Sequence, residues 1–85
     1  MTRDEQIRQK LEAAFHPHAL EVINESERHA HHAGHDGSGE SHYRVKIAAE
    51  AFGPMSRVAR HRAIHEALGP ELTRAIHALA LEVGA

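Results

Sequence analysis

Cysteine is absent from this 85-residue sequence, and its absence excludes disulfides, cysteine-based zinc fingers and thiol nucleophiles. Aromatic residues are scarce, because the chain has no tryptophan, one tyrosine and two phenylalanines. No apolar run is long enough to cross a membrane, and the polar N-terminus lacks the apolar stretch of a signal peptide. We therefore expect one small cytoplasmic domain over residues 1–85, with an aliphatic core.

Histidine is the residue in excess, with ten copies, and the net charge is −2 when these are neutral. Five of them fall close together: His29, His31, His32, His35 and His42. A metal site in this chain would have to use histidine or carboxylate ligands, or thiolates supplied by another molecule. The sequence contains no HExxH, GxSxG, P-loop or Rossmann glycine pattern, so we expect that the protein is not an enzyme.

The hydrophobic pattern of the N-terminal half predicts one helix followed by two strands. Thr2 and Glu5 form a capping-box pattern, an apolar residue then recurs every four positions, and Pro17 ends the helix. Residues 20–24 are typical of a strand, and 26–40 form a polar loop that we expect to be exposed. The next strand should pair antiparallel with the first. Its residues alternate between two faces. The buried face carries Tyr43, Val45 and Ile47, and the solvated face carries His42, Arg44 and Lys46.

The C-terminal half predicts two helices and a last strand. Ser56 is a candidate cap for a helix that ends near Leu68, with Val58 and Ile64 on its inner face. Gly69-Pro70 starts a short third helix. Residues 76–83 are apolar on both faces until Glu82, which predicts the most buried strand.

Four short strings occur in this order along the chain: Asn24-Glu25-Ser26, Ser41-His42-Tyr43, Arg60-His61-Arg62 after Phe52, and Ile76-His77-Ala78-Leu79. Together they resemble the BolA family over nearly the whole chain. The resemblance implies an α+β, class II KH-like fold, α-β-β-α-α-β, with a three-stranded mixed sheet and helices on one face. The sequence departs from the family pattern in its longer, histidine-rich loop and in Gly53-Pro54. The turn before the second helix, which contains Gly53-Pro54, has no GxxG of the kind that KH domains use to clamp nucleic acid.

The resemblance implies two roles. One is partnership with a monothiol glutaredoxin, in which a [2Fe–2S] cluster is shared and the glutaredoxin and glutathione supply thiolates. This role belongs to iron–sulfur trafficking or iron-status signalling. The other is DNA-binding transcriptional regulation, of the stress or morphology type, through a helix-turn-helix-like segment over residues 56–75. The isolated protein is expected to be a monomer or weak dimer without a tightly bound cofactor.

The resemblance also assigns the cluster ligands to His77 and His29. From spacing alone, His77 would be a core histidine on the same strand face as Leu79, and His29 a solvated loop residue. If the longer loop shifts the register, His31 or His32 takes the place of His29. His42 is a further candidate, but its alternation with Arg44 and Lys46 favours a position on the solvated face.

A basic segment provides a candidate surface for a nucleic acid or an acidic partner. Its members are Arg57, Arg60, His61, Arg62 and Arg74. About four phosphate contacts would give weak, salt-sensitive DNA binding. No stacking aromatic residue accompanies the arginines. The position of His61 one turn from Ile64 and Leu68 favours a packing role on the inner side of its helix.

Overall fold

The computed structural model describes residues 2–25 and 42–85.

Capping residues define both ends of the first helix. Helix α1, Arg3–Phe15, begins where the Thr2 side chain accepts a hydrogen bond from the Glu5 amide at 3.4 Å. It ends at His16, whose φ of 47° is left-handed, and Pro17 follows. The predicted cap at Thr2 and the stop at Pro17 are thus confirmed.

Over the described residues, the sheet contains three strands in the order β1-β2-β3. β1 (Ala19–Asn24) pairs antiparallel with β2 (His42–Ala48), and β2 pairs in parallel with β3 (Ala78–Gly84). The predicted mixed, three-stranded α+β architecture is confirmed, whereas the class II KH label stays a prediction. The predicted loop over 26–40 lies outside the described residues.

A short 3₁₀ helix and two α-helices connect β2 to β3. A short 3₁₀ helix, Glu50–Phe52, leads to α2, Arg57–Leu68, where Ser56 Oγ accepts a hydrogen bond from the Ala59 amide at 3.1 Å. Gly69, with φ of 87°, then turns the chain into α3, Pro70–Ala75. Lys10 Nζ on α1 donates to the Leu68 carbonyl at 2.9 Å, which satisfies a free acceptor at the end of α2.

The core lies between the helices and one face of the sheet. Residues paired across strands point to the same side, so Tyr43, Val45 and Ile47 of β2 share this face with Leu79, Leu81 and Val83 of β3. Four of the other buried core residues come from α1 and α2: Ile7, Leu11, Ile64 and Leu68. The Phe15 and Phe52 rings pack with their centroids 4.7 Å apart.

Three details of the predicted elements were wrong. The last strand begins at Ala78 rather than Ile76, because the Ile76 amide completes α3 by donating to the Leu72 carbonyl. The most buried strand is the central β2, since β3 owes its apolar outer face to small alanines at the edge of the sheet. Val58 is not on the inner face of α2, for it is 58% exposed.

None of the helices in the described ranges is both long and apolar enough to span a bilayer.

Candidate functional site

Two histidines from distant parts of the sequence meet at one end of the sheet. His77 is exposed and lies between the end of α3 and the start of β3. His42 is the first residue of β2, and its ring centroid is 5.1 Å from that of His77, with the rings tilted by 55°. The parallel register pairs His42 with Ala78, which explains the proximity of the two rings.

His42 is not on a solvated face, contrary to the sequence prediction, because only 6% of the residue is exposed. Its carbonyl also accepts a hydrogen bond from the Glu25 amide at 2.8 Å, which extends the pairing of β1 and β2 by one step. The buried His42 ring therefore provides a fixed support beside His77. His77 is the accessible imidazole of the pair.

One accessible imidazole can contribute to a metal centre but cannot form one. Among residues 2–25 and 42–85, no group of three histidine, aspartate or glutamate side chains is placed to hold a metal ion. The loop candidates His29, His31 and His32 lie outside the described residues. A metal held at His77 would therefore need further ligands from the loop or from another molecule.

The basic segment is divided between the surface and the interior. Arg57 and Arg62 on α2 are exposed, as is Arg74 in the last turn of α3, and His61 is half-buried. Arg60 instead turns inward, where Nε donates to the Phe52 carbonyl at 2.8 Å and Nη1 to the Val83 carbonyl at 3.3 Å. Arg60 thus joins α2 to the 3₁₀ helix and to β3, which makes it a structural residue as well as a candidate surface residue.

We expect Arg60→Met to lower the free energy of unfolding by about 1.5–3 kcal/mol, because two part-buried carbonyls lose a charged donor while the apolar stem is kept. Urea denaturation measures the change. Arg62→Met, on the exposed side of the same helix, is the matched control and should change stability by less than about 0.5 kcal/mol. Equal effects of the two substitutions would mean that the inward hydrogen bonds of Arg60 contribute nothing.

The outer face of the sheet carries an ion cluster that the sequence reasoning did not identify. Arg44 on β2 bonds through Nε to Glu25 at 3.0 Å and through Nη1 to Glu82 at 3.2 Å. The hydrogen bond and charge of Glu25, with a smaller contribution from Glu82, raise the pKa of Arg44 above its usual value. The outward alternation of β2 signalled an exposed Arg44, but pairing with Glu82 could be recognised only once β2 and β3 were known to be neighbours.

The family model for "BolA-like protein" matches residues 11–85. The chain belongs to the BolA-like protein family. An uncharacterized protein of a Sinorhizobium species is 58% identical over 86 residues, covering 100% of this chain and 92% of that protein. Mouse BolA-like protein 1 is 47% identical and covers 89% of the chain, which spans only 53% of that protein's length. A protein of Escherichia coli K12 named DNA-binding transcriptional regulator BolA is 44% identical to this chain. The match covers 91% of this chain and 70% of the E. coli protein.

Solved BolA structures share the fold. BolA1 from Arabidopsis thaliana superimposes with a TM-score of 0.84 at 35% identity. The match covers 99% of this chain and 92% of the Arabidopsis chain. The BolA domain of SufE1 from the same plant gives the same TM-score and coverage at 38% identity. The predicted family and α+β architecture are therefore confirmed. The site residues, the cofactor, the partners, the cytoplasmic location and the absence of enzymatic activity stay predictions.

Proposed function

We propose that this BolA-like protein is the partner of a monothiol glutaredoxin and shares a [2Fe–2S] cluster with it, with His77 as the ligand from the described part of the chain. The observation that carries the proposal is the position of His77. Its ring is exposed at the start of β3 and lies against the buried ring of His42. His77 lies directly before β3, in the two-residue connection that follows α3.

The donor set of this chain suits a shared centre. Imidazole is a competent ligand for iron, and His77 offers one from the protein surface. His29, or His31 or His32 if the loop register shifts, would supply the second ligand of this chain. Thiolates would come from the glutaredoxin and from glutathione, because this sequence has no cysteine. The cluster would provide iron and sulfide in a transferable form, in iron–sulfur trafficking or iron-status signalling.

The chemistry of histidine ligation supports a transient role. Replacing thiolate by imidazole on one iron raises the reduction potential. An imidazole must also be deprotonated to bind, so ligation by His77 makes cluster retention sensitive to acid. A centre held partly by histidine is therefore released more readily than one held by four thiolates, which fits a protein that passes a cluster on.

Anaerobic mixing tests the proposal. The protein is combined with a monothiol glutaredoxin, iron, sulfide and glutathione, and visible absorption and circular dichroism are followed against samples that lack either protein. We expect a spectrum that appears only when both proteins are present and that differs from the spectrum of the glutaredoxin alone. An unchanged glutaredoxin spectrum on addition of this protein would contradict the proposal.

A second candidate function is sequence-independent or weakly specific DNA binding. The exposed Arg57 and Arg62 of α2 favour it, and a relative 44% identical carries the name DNA-binding transcriptional regulator. The inward bonds of Arg60 remove one cation from the surface, so about two or three phosphate contacts are available and the salt dependence should be shallow. If mixing gives no shared spectrum, duplex-DNA affinity measured against salt concentration becomes the leading test.

A further inference from the structure

Helix α2 carries two histidines one turn apart, His61 and His65. His65 is exposed and His61 is half-buried, and both line one surface depression with Arg57, Val58, Arg62 and Glu66. Side chains four residues apart on a helix are neighbours, so the two imidazoles can approach the same point. His42 and His77 do not line this depression, which makes it a different place from the histidine pair at the end of the sheet.

A hydrogen bond fixes which nitrogen of His65 is available. Nδ1 of His65 lies 2.7 Å from the carbonyl oxygen of His61. A carbonyl oxygen can only accept, so Nδ1 must carry the hydrogen and Nε2 of the neutral ring keeps its lone pair. Metal-binding histidines usually have this arrangement, in which the second ring nitrogen donates to a backbone carbonyl or carboxylate and orients the ligand.

We propose that His61 and His65 form a two-histidine site for a divalent transition-metal ion, with Zn²⁺ and Cu²⁺ as the favoured class. The spacing is that of the two helix-borne histidines in HExxH zinc sites, with Arg62 where the catalytic glutamate would stand, so the site binds metal without a general base. Water or a ligand from another molecule completes the coordination. The positive charges of Arg57 and Arg62 oppose cation binding, whereas the carboxylate of Glu66 favours it. By the Irving–Williams order, the site should bind Cu²⁺ more tightly than Zn²⁺.

Zinc titration of the ¹⁵N-labelled protein tests the site, with ring-nitrogen NMR resonances reporting each histidine separately. Because the histidine-rich segment would compete for metal, the titration uses a background in which His29, His31, His32 and His35 are replaced by alanine. We expect the ring resonances of His61 and His65 to respond together at one equivalent of Zn²⁺. A response confined to other histidines, such as His42 and His77, would overturn the proposal.

Three further variants separate chelation by the histidine pair from the number of histidines in the protein. His65→Ala should lower the Zn²⁺ affinity at His61 by about 100-fold, because the second ligand no longer acts at high effective concentration. His65→Ala/Glu66→His keeps the number of histidines but moves the second one around the helix, and it should be equally weak. Glu66→Gln, the control for the lost carboxylate, should retain the joint response. Unchanged affinity in the relocated variant would show that the spacing is irrelevant and would overturn the site.

Discussion

Ile64→Ala is expected to lower the free energy of unfolding by about 2–5 kcal/mol, whereas Val58→Ala on the same helix should change it by less than about 0.5 kcal/mol. Both substitutions replace a β-branched side chain by alanine within α2. They therefore raise the helix propensity by similar amounts, and this contribution nearly cancels when the two variants are compared. The difference comes from burial, since Ile64 is 0% exposed and Val58 is 58% exposed.

Urea denaturation measures the two changes in the free energy of unfolding, with one m-value fitted to all variants. An 85-residue domain has a total stability of about 4–13 kcal/mol, so Ile64→Ala should remove a large share of it. If Val58→Ala cost as much as Ile64→Ala, the face of α2 that packs on the sheet would have been assigned wrongly. Ile64→Val, which keeps most of the side chain, should fall between them at about 0.5–1.5 kcal/mol.

His77→Ala is expected to remove the spectrum of the shared cluster, with a loss of cluster affinity of about tenfold or more. Because His77 is exposed, the same substitution should change the free energy of unfolding by less than about 0.5 kcal/mol. Anaerobic titration of the glutaredoxin mixture with each variant, followed by circular dichroism in the visible range, measures the affinity. His18→Ala removes another exposed imidazole and is the matched control, which should behave as the unaltered protein.

A ligand role can be separated from a structural one by His77→Cys. A thiolate is also an iron ligand, so this variant should retain the cluster but with an altered spectrum and a lower reduction potential. A residue that only shaped the docking surface would not change the potential in this way. Loss of the cluster in both the alanine and the cysteine variants, or in neither, would contradict ligation by His77.

Most elements of the fold could be predicted because their signals are local. The four-residue spacing from Ile7 to Phe15, the cap at Ser56 and the alternation of β2 each depend on neighbouring residues, and the structure contains them. The prediction for Val58 was wrong because six residues rotate a helix by about 600°, which leaves Val58 about 120° away from Ile64 around the helix axis. The burial of β3 was overestimated because alanines count as apolar even at the edge of a sheet.

The candidate site could be predicted only in part. The resemblance to the BolA family directed attention to His77, but the contact with His42 depends on the parallel pairing of β2 with β3, which no local pattern reveals. The same pairing joins Arg44 to Glu82. Arg60 could not be distinguished by sequence from Arg57 and Arg62, because its inward orientation is set by the carbonyls of Phe52 and Val83. Contacts between residues that are distant in the sequence therefore determine the features of the site that local sequence patterns could not predict.

Pulsed electron paramagnetic resonance on the reduced complex with glutaredoxin tests the central claim most directly. Only this chain is labelled, with ¹⁵N-histidine, so any nitrogen bonded to the cluster iron from this protein has a distinct signature. We expect strong ¹⁵N hyperfine coupling that His77→Cys removes or reduces, while His18→Ala leaves it unchanged. Absence of strong ¹⁵N coupling in the unaltered complex, or coupling that survives intact in His77→Cys, would contradict the claim that His77 holds the shared cluster.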